Sequence, residues 1–298
     1  MLDVTRLRVL AAVARHGSVT AAARALNYAQ PSVSHHLARL EAETGSLLVQ
    51  RVGRGIRLTD AGRMLAERAE EILGRLDAVE AELAAHVGLR TGRVRLAAFP
   101  SALGTFVPRA AAAFTADHPG VELRFTEAEP PEAIRLLRAG EVDVAVLFGY
   151  PSPDRAAPPP DDGLRRTRLR TEQISLVTPA ELPGDTLADH ADRRWITGCE
   201  RCREHLVRAC AAAGFTPDIA FTTDDYVAVQ ALVAAGLGVT TLPDLALQAQ
   251  RNPAVRAVPL PGHTRELSTA VIGDPPDPPA TAALLHHLAQ AATATGSS

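Results

Sequence analysis

Lysine is missing altogether: the 31 basic residues of this 298-residue chain are all arginine, set against 34 acidic ones. We read that absence as a GC-rich coding bias and not as selection for a nucleic acid. Cysteine is scarce, with three residues confined to Cys199, Cys202 and Cys210. No apolar run approaches the roughly 20 residues of a membrane span. The N-terminal MLDVTRLRVL also lacks the charged-then-apolar layout of a signal peptide, so a cytoplasmic protein with no membrane partner is expected. Enzyme signatures are wanting as well. There is no nucleophile elbow, HExxH helix or Walker loop, and no acid pair in a catalytic setting, so neither catalysis nor a cofactor is expected. AGLG at 235–238 falls short of a dinucleotide fingerprint and follows a helix, which makes it a tight turn.

What is present reads as an ordinary globular composition, with 46% hydrophobic and 22% charged residues and length enough for more than one domain. The net charge of −3 hides an asymmetry. Residues 1–62 hold eight arginines against four acids, a surplus of +4, so the remainder carries −7. A basic module on an acidic body points to the module as the part that meets a polyanion.

That module is built around residues 18–43. Leu7, Leu10, Ala11 and Ala14 mark a first helix ending at Gly17. Ser18 suits the N-cap of a second, Asn27 the bend, and Pro31 the first turn of a third. Val33, Leu37 and Leu40 give that third helix an apolar face, while Gln30, Ser32, Ser34, His35, His36 and Arg39 give it a hydrogen-bonding one. This is the arrangement of a helix-turn-helix, at about 18–37, that lays its second helix in a major groove of double-stranded DNA. A small hairpin follows, with a turn at Val52–Gly55 and Arg51, Arg54 and Arg57 around its tip, placed to reach phosphates. Leu65, Ala69, Ile72, Leu76, Val79 and Leu83 then step as a short heptad seam, which suggests self-association.

From Arg93 onward strands and helices alternate, which implies βα units and largely parallel sheets. Strands are expected at 94–99, 121–127, 142–148, 174–178, 195–197, 219–223, 239–242 and 267–272, with a surface loop at 151–163. Two such sets, split near Arg170 and rejoined near the C-terminus, would leave a crevice for a small ligand.

The chain resembles the LysR-type transcriptional regulators over nearly its whole length. Residues 7–62 carry the likeness most specifically; AAFPSAL (97–103), FVPRAAAAFTADHPGVEL (106–123), LRAGEVDVAVL (137–147) and LVAAGLGVTTLP (232–243) extend it. The resemblance implies an α/β protein overall: an N-terminal winged helix-turn-helix at 1–62, a long dimerising linker helix at 63–90, and a two-lobed effector-binding domain like periplasmic binding proteins at 93–298. Lobe I would comprise about 93–168 and 267–298, and lobe II about 169–266. It implies a homodimer or homotetramer whose promoter contacts switch when an unknown small-molecule effector enters the crevice. By position in that pattern Pro100, Ser101 and Ala102 would meet the effector from one lobe, and Thr197, Gly198, Cys199, Thr222 and Thr223 from the other. Three departures stand out. Ala29 replaces the usual Ser or Thr, leaving Gln30 to cap; His35 and His36 replace Arg and Gln; Leu10, Val19 and Val49 replace large aromatics.

Cys199, Cys202 and nearby His205 could ligate zinc or cycle as a dithiol. No second ligand pair accompanies them, and the spacing to Cys210 follows no finger pattern, so a structural role is preferred and no metal centre is expected. His286–His287 and the stretch RRTRLR (165–170) read as solvated surface. Two other functions compete with a DNA-binding regulator: a cytosolic small-molecule-binding protein that uses its N-terminal module only for assembly, and, last, an enzyme on the α/β body.

Overall fold

The computed structural model of the chain describes residues 2–52, 55–86, 92–151 and 163–294. They divide into two compact units, one of residues 1–87 with 135–141, the other of 88–134 with 142–298.

In the first unit, α1 (Val4–His16) starts where the Asp3 carboxylate accepts from the Arg6 N–H at 3.1 Å and ends at Gly17, with φ 65°. α2 (Val19–Ala25) is capped by Ser18, whose hydroxyl accepts from the Ala21 N–H at 3.0 Å. The chain reverses at Asn27, which adopts φ 55°, a conformation that Asn tolerates better than most residues. α3 (Gln30–Thr44) has Ala29 at its N-cap and no side-chain cap. The expected capping by Gln30 is therefore not met, because Gln30 is itself the first helical residue. The hairpin pairs β1 (Val49–Val52) with β2 (Gly55–Leu58), antiparallel. Glu41 fixes its entry by accepting from the N–H groups of Leu48 and Val49 at 2.8 and 3.1 Å. α4 (Asp60–His86) passes so close behind that a Cβ on Gly62 would lie 2.0 Å from the Leu48 carbonyl oxygen, so only glycine fits.

Leu7, Leu10, Val13, Val33, Leu37, Leu40 and Leu48 fill this unit's core, and α4 adds Ala66 and Ala69. Part of the heptad seam is thus used at home. Farther along α4, Ile72, Leu76 and Val79 remain 40%, 39% and 52% exposed, an apolar stripe that nothing in this unit covers. The side chain of Leu83 lies outside the described residues, as do Arg54 and the tip of the hairpin, residues 152–162 of the expected surface loop, and residues 295–298.

The second unit holds β3 (Gly92–Ala98), β4 (Val121–Glu127), β5 (Val144–Gly149), β6 (Leu164–Pro179), β7 (Arg194–Thr197), β8 (Asp218–Thr222), β9 (Thr240–Pro243) and β10 (Val255–Ile272). Its helices are α5 (Pro100–Leu103), α6 (Phe106–Asp117), α7 (Pro130–Arg138, shared with the first unit), α8 (Glu200–Ala212), α9 (Tyr226–Ala234), α10 (Asp244–Ala249) and α11 (Pro279–Ala294). The main sheet runs β4-β3-β5-β10-β6-β9, and β7-β8 form a second. Two cores follow. One packs α6 and α11 on β3 and β5 through Phe99, Phe106, Phe114, Leu284 and Leu288. The other gathers Trp195, Leu206, Cys210 and Val239 under α8, beside a cluster of Val177, Ile196, Val229 and Val233.

Three expectations need correction. The short strands read at 174–178 and 267–272 are the ends of β6 and β10, which are 16 and 18 residues long and pair antiparallel. The sheets are accordingly mixed: β3, β4 and β5 are parallel, but β10 opposes both β5 and β6, and β9 opposes β6. RRTRLR is not free surface but the opening of β6, where Arg165 pairs with Asp277 and Arg170 donates to the Ala292 carbonyl. His287 is buried, edge-on to Phe114 and 3.3 Å from the Asp117 carboxylate, whereas His286 is exposed.

β6 and β10 are the only described strands that serve both halves of this unit. Where they cross, the pairing slips between Pro259 and Thr264, and Gln173 spans the slip by donating to the carbonyls of Leu260 and His263 at 2.6 and 2.9 Å.

Candidate functional site

Two polar surfaces emerge. The first is the outer face of α3. Val33, Leu37 and Leu40 are buried, which turns Gln30, Pro31, Ser32, Ser34, His35 and Arg39 to solvent. Among the described residues, the side chains of Gln30, Ser32, Ser34, His35 and Arg39 make no hydrogen bond. His36 is half-buried, its ring 6.0 Å from that of Tyr28. Arg57 is exposed on β2; the side chains of Arg51 and Arg54 lie outside the described residues. The face offers donors and acceptors of the kinds that bond to base edges, with one arginine for a phosphate or a guanine.

The second surface lies where the β6–β10 crossing meets α5, α8 and α9. A cavity of about 60 Å³ is lined there by Pro100, Ser101, Glu129, Tyr150, Gly198, Cys199, Cys202, Thr223, Asp224, Tyr226 and Arg265, among others. Of the eight effector-site candidates, five line it: Pro100, Ser101, Gly198, Cys199 and Thr223. Ala102 is fully buried in the α6 core, Thr197 is buried at the end of β7 with its carbonyl accepting from the Thr223 N–H, and Thr222 faces solvent on β8.

Its centre is a pair of residues that sequence reasoning passed over. Arg265 and Glu172 face each other across β10 and β6, each 2% exposed. Arg265 Nε donates to Glu172 Oε1 at 2.5 Å, and its terminal nitrogen donates to the Ser101 hydroxyl at 2.9 Å. The guanidinium also stacks over the rings of Phe148 and Phe99, 4.4 and 4.9 Å from their centroids. The second Glu172 oxygen accepts from the Leu245 N–H at 2.8 Å, tying in α10. Burial works against the guanidinium's charge, but Glu172, Tyr150 and Cys202 together hold it firmly protonated. The hydroxyl of Ser101, a residue expected to meet the effector, is an acceptor for Arg265, and α5 is a single turn. The available signal was charge inside two β-patterned stretches, Glu172 in TEQIS and the adjacent Arg265 and Glu266 in TRELS.

Cys199 stands at the N-cap of α8 and Cys202 one turn on, with their Sγ atoms 2.9 Å apart. The Tyr150 hydroxyl donates to Cys202 Sγ at 3.5 Å. Donation from the Cys199 thiol, the Arg265 charge and the Tyr150 hydroxyl pull the Cys202 thiol down, and the same Cys199–Cys202 bond, with burial, pushes Cys199 up. Cys210 is a buried core thiol, pushed up to about 11 by that burial. His205 stacks on Tyr150, ring centroids 4.1 Å apart, and is pushed down to about 4 by burial and then by His263 and Arg208. Glu129, held up by burial, and Asp224 complete the wall; neither was singled out from the sequence, being about 70 and 25 residues from Cys199 in opposite directions.

Comparison with known proteins gives these surfaces a setting. Residues 4–63 match the model of the bacterial regulatory helix-turn-helix protein, lysR family, and residues 88–293 match the LysR substrate binding domain. The uncharacterized HTH-type transcriptional regulator YvbU of Bacillus subtilis (strain 168) is 28% identical over 284 residues, spanning 92% of this chain and 90% of its own length. Among solved structures, full-length OxyR from Pseudomonas aeruginosa superimposes with a TM-score of 0.67 at 21% identity, covering 97% of this chain and 98% of that one. Full-length CbnR complexed with its target DNA gives 0.63 at 22% identity, covering 97% and 100%.

Proposed function

Because the chain belongs to the LysR family of DNA-binding transcriptional regulators, we propose that α3 reads an operator while the crevice at Arg265 receives a small-molecule effector that alters those contacts. The observation that carries the DNA half is the division of α3 itself. Its buried Val33, Leu37 and Leu40 leave an outer face whose polar groups have no partners among the described residues. Gln30, Pro31, Ser32, Ser34, His35, His36 and Arg39 are assigned to the groove, and Arg51, Arg54 and Arg57 to phosphates beside it. CbnR, a LysR family transcriptional regulator of similar fold, is seen in complex with its target DNA. We assign residues 1–62 to DNA binding, 63–90 to the linker and 93–298 to the effector. The exposed Ile72, Leu76 and Val79 stripe is the surface on which a second copy of α4 would pack, giving a homo-oligomer.

No helix among the described residues is long and apolar enough to cross a membrane. We place the protein in the cytoplasm with its DNA, and assign it no catalytic role. Switching requires the effector to bind two arrangements of the oligomer with different affinity.

A footprint on the DNA upstream of its own gene tests the reading, with and without cell extract. A protected site is expected, weakened by Arg57→Ala about equally on all sequences, with a salt slope shallower by about one. No protected site under either condition would overturn it. Unchanged regulation by Arg39→Ala and Ser34→Ala together would favour the module serving for assembly alone.

A further inference from the structure

The objection to a metal at the cysteines was the lack of a second ligand pair, and folding supplies one. A carboxylate oxygen of Glu129, the Cys199 Sγ and a carboxylate oxygen of Asp224 all lie within 4.8 Å of one another. Cys202 Sγ is 2.9 Å from Cys199 Sγ. We propose that Cys199, Cys202, Glu129 and Asp224 form a binding site for a thiophilic divalent cation of the zinc class.

Four observations converge on it. Two sulfurs and two carboxylate oxygens are the donor number and mixture that suit a tetrahedral, borderline-soft ion. Zinc–sulfur bonds of about 2.3 Å at tetrahedral angles separate two thiolates by roughly 3.7 Å, so the sulfurs need spread by less than about 1 Å. That is within reach of side-chain torsions. Secondly, Glu129 Oε2 is buried with no hydrogen-bond partner, a costly state that a coordinated cation would relieve. Thirdly, Arg265 is ion-paired with Glu172, and the crevice is lined by two further carboxylates, Glu129 and Asp224. Such a wall repels anions and attracts cations. Finally, the four side chains line one cavity of about 60 Å³, space enough for an ion.

The thiols would release their protons to solvent on ligation. Tyr150, donating to Cys202, orients that sulfur from the outer sphere. His205 is not a ligand: its ring is stacked on Tyr150. Glu129 follows β4 in one half of the unit, whereas Cys199, Cys202 and Asp224 follow β7 and β8 in the other. The ion would therefore join the two walls of the crevice. This deepens the reading of the crevice as the effector site and rests on that reading for its regulatory meaning.

Cobalt(II) titrated into the reduced full-length protein without oxygen tests the site. One ion per chain is expected, with a thiolate-to-cobalt charge-transfer band that zinc abolishes by displacement. Cys199→Ser and Cys202→Ser should each remove the band. Glu129→Gln and Asp224→Asn should each weaken binding roughly tenfold or more. Circular dichroism of each variant guards against unfolding, and the wild-type titration stands without any variant. Absence of the band, its survival in the double serine variant, or indifference to both carboxylate changes would overturn the proposal. Footprinting the same samples separates the two readings. Operator protection without cobalt binding sinks the metal site alone, and cobalt binding without operator protection sinks the regulator reading alone.

Discussion

The outer face of α3 and the wall of the crevice are both polar, yet they keep their polar groups in opposite states. On α3 the side chains of Ser32, Ser34, His35 and Arg39 point to water, and nothing in the unit competes for them. At the crevice, Arg265 has Glu172, Ser101 and two aromatic rings, and Glu172 has the Leu245 N–H besides. The first surface is free to spend its hydrogen bonds on an outside partner. The second has spent most of them on holding β6, β10, α5 and α10 together, and what it leaves over is Glu129, Asp224 and two thiols. A polar residue is therefore informative in different ways in the two places: by being unpartnered in one, and by what it positions in the other.

The largest effect should come from breaking the satisfied side of that contrast. Arg265→Met leaves Glu172 buried without its countercharge and should cost about 3–5 kcal/mol, read by urea unfolding of the full chain. Adding Glu172→Gln keeps an acceptor for the Leu245 N–H and should restore most of the loss. A cost below about 1 kcal/mol for the single change would mean the pair is relaxed by water, and the contrast would fail.

The same contrast explains what the sequence disclosed. α1, α2 and α3 were legible to within a few residues because apolar spacing, Ser18, Pro31 and the left-handed Gly17 and Asn27 all mark the chain locally. The β6–β10 crossing was not. Residues 164–172 hold four arginines and almost no apolar alternation, and Pro259, Pro261 and Gly262 interrupt 255–266 as a loop would. Pairing between strands about 90 residues apart, with a slip at those very residues, overrides both signals. Five of the eight crevice candidates could be placed on the cavity wall by motif position, since each stands near the end of a strand. Glu129 and Asp224 could not, because only the tertiary fold brings them to Cys199.

A smaller effect should appear at the crevice on acidification. His205 is pushed down to about 4, from an ordinary value near 6.5, and its buried Nε2 has no partner. Between those two values the unfolded chain binds more protons than the folded one. The stabilisation is thus fully present above pH 6.5 and is lost as the pH falls towards 4. The ceiling is about 3 kcal/mol; because the ring is partly open to solvent, roughly 1–2 kcal/mol is the expected fall. His205→Phe keeps the stack on Tyr150 without a titrating group and should flatten the stability profile over that window. An equally steep profile in the variant would move the cause elsewhere.

The finest distinction lies within the first unit. Ser18 caps α2 through the Ala21 N–H, three residues on, whereas Ala29 cannot do the same for the Ser32 N–H at the head of α3. The backbone at position 29 already has the extended conformation of an N-cap, φ −72° and ψ 141°. Ala29→Ser should therefore add a cap without rearrangement and stabilise the unit by roughly 0.5–1 kcal/mol in thermal unfolding. On DNA the sign should reverse. An N–H at the start of a helix is a donor for a phosphate, and a serine hydroxyl that accepts from it competes for that donor. Stability should rise while operator affinity stays level or falls slightly. A rise in both would mean that the hydroxyl itself contacts the DNA, and that α3 is not limited to the polar groups it now displays.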